Sequence, residues 1–175
     1  MPIGAVPEEL LAATERTVAE WFPFDPYRLP PLPMPAAAWQ PERGQYESVT
    51  IMKALAAACP PDAARLLGLT TADIAIPMLS FLFGQAQFNG PIALVSVSRL
   101  RQDFYGLPPD GELLVERLAK EVLHELGHTC GLIHCADPQC AMSLSTHVGL
   151  VDAKQASFCA VCGSHLVRRL TSSNG

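Results

Sequence analysis

The chain has 175 residues and a mass of 18.8 kDa, enough for one domain with a hydrophobic core and too short for two independent ones. Apolar residues make up 49% and charged residues 17%, which excludes a largely disordered chain. A formal net charge of −5 argues against a general grip on phosphate backbones, so nucleic acid is not an expected partner.

The N-terminal stretch has no basic region followed by an apolar one, and no segment approaches about 18 uninterrupted apolar residues. The longest apolar run, Ile74 to Phe83, is broken by Pro77 and Ser80. These features predict a soluble, cytoplasmic protein with no membrane partner, expected to act as a monomer. Residues 8 to 22 place Leu10, Leu11, Val18, Trp21 and Phe22 at helical spacing, and Pro23 ends that helix. Seven prolines between Pro23 and Pro41 predict an irregular arm wrapped on the same domain. Residues 45 to 58 fit a second helix, and 62 to 68 a short third one stopped by Gly68. Ile74 to Ile76, Leu79 to Phe83 and Ile92 to Val97 read as strands. After the turn signal Pro108-Pro109-Asp110, residues 111 to 131 read as a long helix with Leu114, Leu118 and Val122 on one face. Thr171 to Gly175 reads as a frayed tail.

The second half of that helix carries the chemistry. His124-Glu125-Leu126-Gly127-His128-Thr129-Cys130-Gly131-Leu132-Ile133-His134 satisfies HExxHxxGxxH at every defined position. Residues i and i+4 share a helix face, so His124 and His128 can present two imidazoles to one ion, with Glu125 beside them as a general base. A third ligand at His134 requires a sharp break, and Gly131 can adopt the positive φ that provides it. Three neutral imidazoles leave the fourth position of a zinc ion open to water. Zinc lowers the pKa of that water towards ~7, Glu125 takes its proton, and the hydroxide attacks a peptide carbonyl. An isolated HExxH also arises by chance in amphipathic helices; the added glycine and third histidine make this string far more specific.

Six cysteines in a chain without an export signal point to metal binding or free thiols. Cys135 with Cys140, and Cys159 with Cys162, are two half-sites that together make a closed four-sulfur structural zinc site. Two disulfides or a redox CxxC are the alternatives. Cys59 and Cys130 lack partners at ligand spacing and read as small buried residues.

Taken together, His124 to Cys135, Cys140, Met142 and the downstream Cys159 and Cys162 resemble the archaemetzincins. Their pattern is HExxHxxGxxHC, four residues, CxM and a later CxxC. Weaker similarity runs through Arg43-Gly44-Gln45-Tyr46, Phe81 to Ala86, Ser98-Arg99-Leu100, Glu116-Arg117 and Lys120-Glu121, so the likeness covers most of residues 43 to 166. The resemblance implies two zinc ions per chain, one catalytic and one structural, and puts Met142 in a methionine turn beneath the catalytic site. By analogy with metzincins, Phe83 to Ala86 would line the cleft and pair with extended peptide.

His147, His165, Asp137, Asp152, Arg168 and Arg169 are left out of both sites. Asp137 reads as a turn residue, Asp152 as a helix N-cap, and the two arginines as solvated surface. The expectation is an α+β, metzincin-like single domain over residues 1–175. It would comprise an N-terminal helix and proline-rich arm (1–43), a small mixed sheet with the active-site helix (44–134), and a zinc-stapled lobe (135–170). Its function would be hydrolysis of peptide bonds in a peptide or small protein. The alternative is a non-catalytic, zinc-stabilised interaction module, against which the intact Glu125 argues.

Overall fold

The computed structural model describes residues 1–172. In chain order the elements are β1 (Pro2–Ile3), α1 (Glu8–Trp21), β2 (Trp39–Gln40), β3 (Gln45–Glu47), α2 (Ser48–Ala58), β4 (Leu66–Thr70) and β5 (Ile74–Ala75). They continue with β6 (Gly84–Ala86), β7 (Ile92–Ser96), α3 (Gly111–Thr129), α4 (Val148–Ala153) and α5 (Ala160–Ser172). The main sheet has the order β1-β4-β7-β6, parallel through β7 and antiparallel at the outer strand β6. A second, three-stranded sheet has the order β2-β3-β5.

Every residue of β7 is buried. Ala93 and Val95 join the larger core cluster with α1 and α3, whereas Ile92 and Leu94 join the smaller one with Ile51 and Leu55 of α2. Successive side chains alternate between faces, so a strand covered on both faces must be apolar on both, as Ile92 to Val95 is, while the buried Ser96 hydroxyl donates to the Ala72 carbonyl. The prolines of the arm leave it without a long element, yet the arm is held: Leu32 exchanges backbone hydrogen bonds with Pro2 and Gly4.

Three expected elements differ. Residues 62–68 do not form a helix; Leu66 to Thr70 is the central parallel strand β4, paired along its length with β7. Gly68 is needed for close packing, since a Cβ there would lie 2.6 Å from Leu55 and 2.8 Å from Ile3. Leu79 to Phe83 is not a strand apart from an isolated bridge at Leu82. Arg43 takes its carbonyls instead, donating to Ile76 at 3.0 Å, Leu79 at 2.6 Å and Ser80 at 3.1 Å. The helix expected from residue 45 begins at Ser48, because Gln45 to Glu47 pairs with both β2 and β5. Asp152 lies inside α4, not at its N-cap, and holds Arg117 of α3 through paired contacts of 2.6 and 2.7 Å.

Candidate active site and cysteine cluster

Helix α3 starts where Asp110 accepts the Leu113 N–H at 2.9 Å, a side-chain N-cap. It ends at Thr129, and Gly131 takes φ +81, turning the chain so that His134 comes back to the helix. One donor atom from each of His124, His128 and His134 lies within 4.8 Å of the other two. Burial falls along the set: His124 is enclosed, His128 half-buried and His134 exposed.

The outer ring nitrogens are occupied. His124 Nδ1 is 2.8 Å from the Ala141 carbonyl, and His128 Nδ1 is 2.8 Å from the Leu132 carbonyl. A carbonyl can only accept, so each Nδ1 carries the proton and each Nε2 presents a lone pair. Those two Nε2 atoms sit 3.1 Å apart. Two acceptors at that distance repel unless a cation lies between them, and tetrahedral zinc–nitrogen bonds of ~2.0–2.1 Å space their donors by about 3.4 Å. The donor set fits zinc. Burial, then the Lys154 ammonium and the neighbouring His128, holds the His124 pKa down at about 3. Burial and nearby charge lower His128 and His134 as well. All three rings are therefore neutral and need not shed a proton to bind a metal at neutral pH.

Glu125 is 5% exposed, and burial, reinforced by Glu121, raises its pKa well above the usual carboxylate range. The Lys154 ammonium opposes that rise. Lys154 and Glu121 form an enclosed pair beside the site, Nζ to Oε1 at 3.2 Å. Beneath the helix, Met142 is fully buried, and a Cβ on Gly127 would overlap its sulfur. The glycine lets the methionine approach the helix between the two histidine-bearing turns.

The cysteines form a second cluster, with the sulfurs of Cys135, Cys140, Cys159 and Cys162 within 4.8 Å of one another. Cys135 and Cys159 are 3.8 Å apart, which is the edge of a tetrahedron with zinc–sulfur bonds of about 2.3 Å. Backbone N–H groups of Asp137 and Cys159 donate to Cys135 and Cys140 sulfur at 3.5 and 3.4 Å, as suits thiolates. This set also fits zinc, with every tetrahedral position filled. His134 of one cluster and Cys135 of the other are consecutive residues.

Of the residues left out, His147 and His165 are exposed and outside both clusters. Asp137 is the expected turn residue, accepting the Gln139 N–H at 3.0 Å. The Arg169 guanidinium lies 3.6 Å from where a Gly131 Cβ would stand, so the C-terminal helix reaches the turn before His134. The sequence assigned no role to Gly127, Glu121 or Lys154, and to Gly84 only a place in the cleft-lining stretch Phe83 to Ala86. The only signal for Glu121 was its place in the upstream similarity, and a lone Lys154 carried none.

The sequence profile of Peptidase family M54 matches residues 49–168. The chain is 40% identical to an archaemetzincin of Methanocaldococcus jannaschii over 161 residues, covering 92% of this chain and 87% of that one. It is 44% identical to an archaemetzincin of Methanopyrus kandleri over 137 residues, covering 78% of this chain and 74% of that one. The crystal structure of archaemetzincin from M. kandleri superposes with a TM-score of 0.82 at 36% identity, covering 98% of this chain and 96% of that one. That from Archaeoglobus fulgidus, complexed with malonate, gives 0.81 at 32% identity, covering 94% and 96%. Among the described residues no helix is long and apolar enough to cross a membrane.

Proposed function

Because the chain belongs to peptidase family M54, the archaemetzincins, we propose that it is a zinc-dependent peptidase in which His124, His128 and His134 hold the catalytic ion and Glu125 is the general base. The observation that carries this reading is the pair of Nε2 lone pairs facing each other at 3.1 Å, with the buried carboxyl of Glu125 on the same helix. When bound, zinc supplies a Lewis acid that makes water more acidic and polarises the scissile carbonyl. Glu125 accepts the proton of the attacking water and returns it to the leaving amine; its raised proton affinity suits both transfers. The backbone carbonyls of Ala141 and Leu132 hold the His124 and His128 rings in the tautomer that directs Nε2 inward. Strand β6, outermost in its sheet, offers a free edge to an extended peptide substrate.

Cys135, Cys140, Cys159 and Cys162 hold the second, structural zinc in this reading. The domain then divides into an N-terminal helix and arm (1–43), the sheet with the active-site helix (44–134) and the metal-stapled lobe (135–170). The test is a zinc count on the wild type and Glu125→Ala, with both exposed to a mixed peptide library read by mass spectrometry. Two ions in each protein, with cleavage by the wild type alone, support the proposal and give the bond preference. Two ions in each with no cleavage by either would instead favour a non-catalytic interaction module.

A further inference from the structure

We propose that Gly84 on β6 positions Glu125, and that its missing side chain serves the reaction and not the fold; the inference rests on the reading of Glu125 as the general base. A Cβ on Gly84 would lie 2.6 Å from both Cγ and Oε1 of Glu125 and 2.7 Å from its Cδ. The Gly84 backbone is not in the left-handed region, so conformational freedom does not explain the glycine. What it provides is room: the carboxyl of Glu125 lies directly against the strand.

The strand cannot slide to make that room for a larger residue. Gly84, Gln85 and Ala86 are in register with Val95, Leu94 and Ala93 of β7. Past the end of β6, the Asn89 N–H donates to the His128 carbonyl at 2.9 Å, tying the hairpin to the C-terminal end of α3. On the strand itself, Gln85 Oε1 accepts the Ser48 hydroxyl at 2.6 Å. The hairpin is therefore tied to the active-site helix past one end of the contact, and the strand itself is pinned to α2 through Ser48. A methyl group at residue 84 is relieved only by rotating the Glu125 side chain. That rotation costs the fold little, since a glutamate has several staggered alternatives, but it takes the carboxyl out of position. Gly84 is thus a positioning residue on the same strand that offers its edge to the substrate.

The experiment is Gly84→Ala, studied as zinc-loaded full-length protein by crystallography and steady-state kinetics. The expected result is unchanged zinc content, a displaced Glu125 carboxyl, and kcat lower by about tenfold to a hundredfold with KM within about twofold. Glu125→Asp, which withdraws the crowded carboxyl by one methylene, should cost less in the Gly84→Ala background than in the wild type, because the two changes act on one contact. An alanine variant whose carboxyl has not moved and whose kcat is within about twofold of wild type overturns the proposal. So does a variant that fails to fold, since the glycine would then serve the fold. If the wild type cleaves no peptide, the functional reading fails separately, and the carboxyl position in the variant still decides whether Gly84 sets it.

Discussion

Lys154 and Glu121 meet at 3.2 Å with their side chains 0% and 3% exposed, and Glu121 stands one helical turn before Glu125. The pair joins α3 to the segment that follows α4 and places one positive charge where it bears on Glu125 and all three site histidines. Attraction within an enclosed pair is large, and so is the cost of having taken both charges out of water.

Removing only the cation should therefore be severe. Lys154→Met leaves the Glu121 carboxyl enclosed without its counter-charge, and a loss of about 3–5 kcal/mol is expected in urea titrations. The double variant Lys154→Met/Glu121→Leu should recover most of it. A double variant as unstable as the single one would show that the ammonium stabilises the fold through other contacts.

The depressed His124 gives the chelator-stripped protein a defined response to acid. The unfolded chain takes up a proton near 6.5, whereas the folded chain resists it down to about 3. Between those values the unfolded state binds more protons, so this group works against folding as pH falls through that window. Glu125 and Glu121, with raised pKa values, have the opposite sign, but they are present in both proteins if wild type is compared with His124→Asn. The melting temperature of the wild type should fall relative to the variant from pH 7 to pH 4. A difference that does not change with pH counts against neutral burial of His124.

Met142 and Gly127 should behave as one packing unit. Gly127→Ala drives a methyl into the methionine sulfur, and an overpacking cost of about 1–3 kcal/mol is expected. Met142→Ala, at a fully buried position, should cost about 2–5 kcal/mol. Combined, they should cost less than the sum, since the smaller side chain vacates the space the methyl needs. Strict additivity in denaturant melts would refute the contact.

For the sulfur cluster, Cys159→Ser should reduce zinc from two ions per chain to one and lower the thermal midpoint, because a closed structural site contributes directly to folding. Measured zinc content that is unaffected would mean that the cysteines are not the ligands.

The parts of the site readable from sequence were those encoded locally. The spacing of His124 and His128 follows from the helix itself, and bringing His134 to them required only that Gly131 break it. The CxxC pairing was equally local. What escaped the reading depends on distant partners. Residues 62 to 68 read as a helix ended by Gly68, until β7 and Leu55 supplied the reason for that glycine. Leu79 to Phe83 has the composition of a strand, yet Arg43, far back in the chain, takes its carbonyls. Lys154 meets Glu121 across 33 residues, a separation that no periodicity reports.

His134 and Cys135 share a peptide bond, which gives the assembly of the protein a direction. All three imidazoles are in place by residue 134, but the most exposed of them adjoins a sulfur cluster whose last two members, Cys159 and Cys162, are synthesised later. The Cys135 N–H donates to the Met142 carbonyl at 2.9 Å, so the backbone beside the third imidazole is anchored before α5 is made, whereas the Cys135 sulfur finds Cys159 only afterwards. On the proposed function, a chain still lacking Cys159 and Cys162 holds its three imidazoles beside an incomplete sulfur site, so full support of the metal centre comes only with the finished chain.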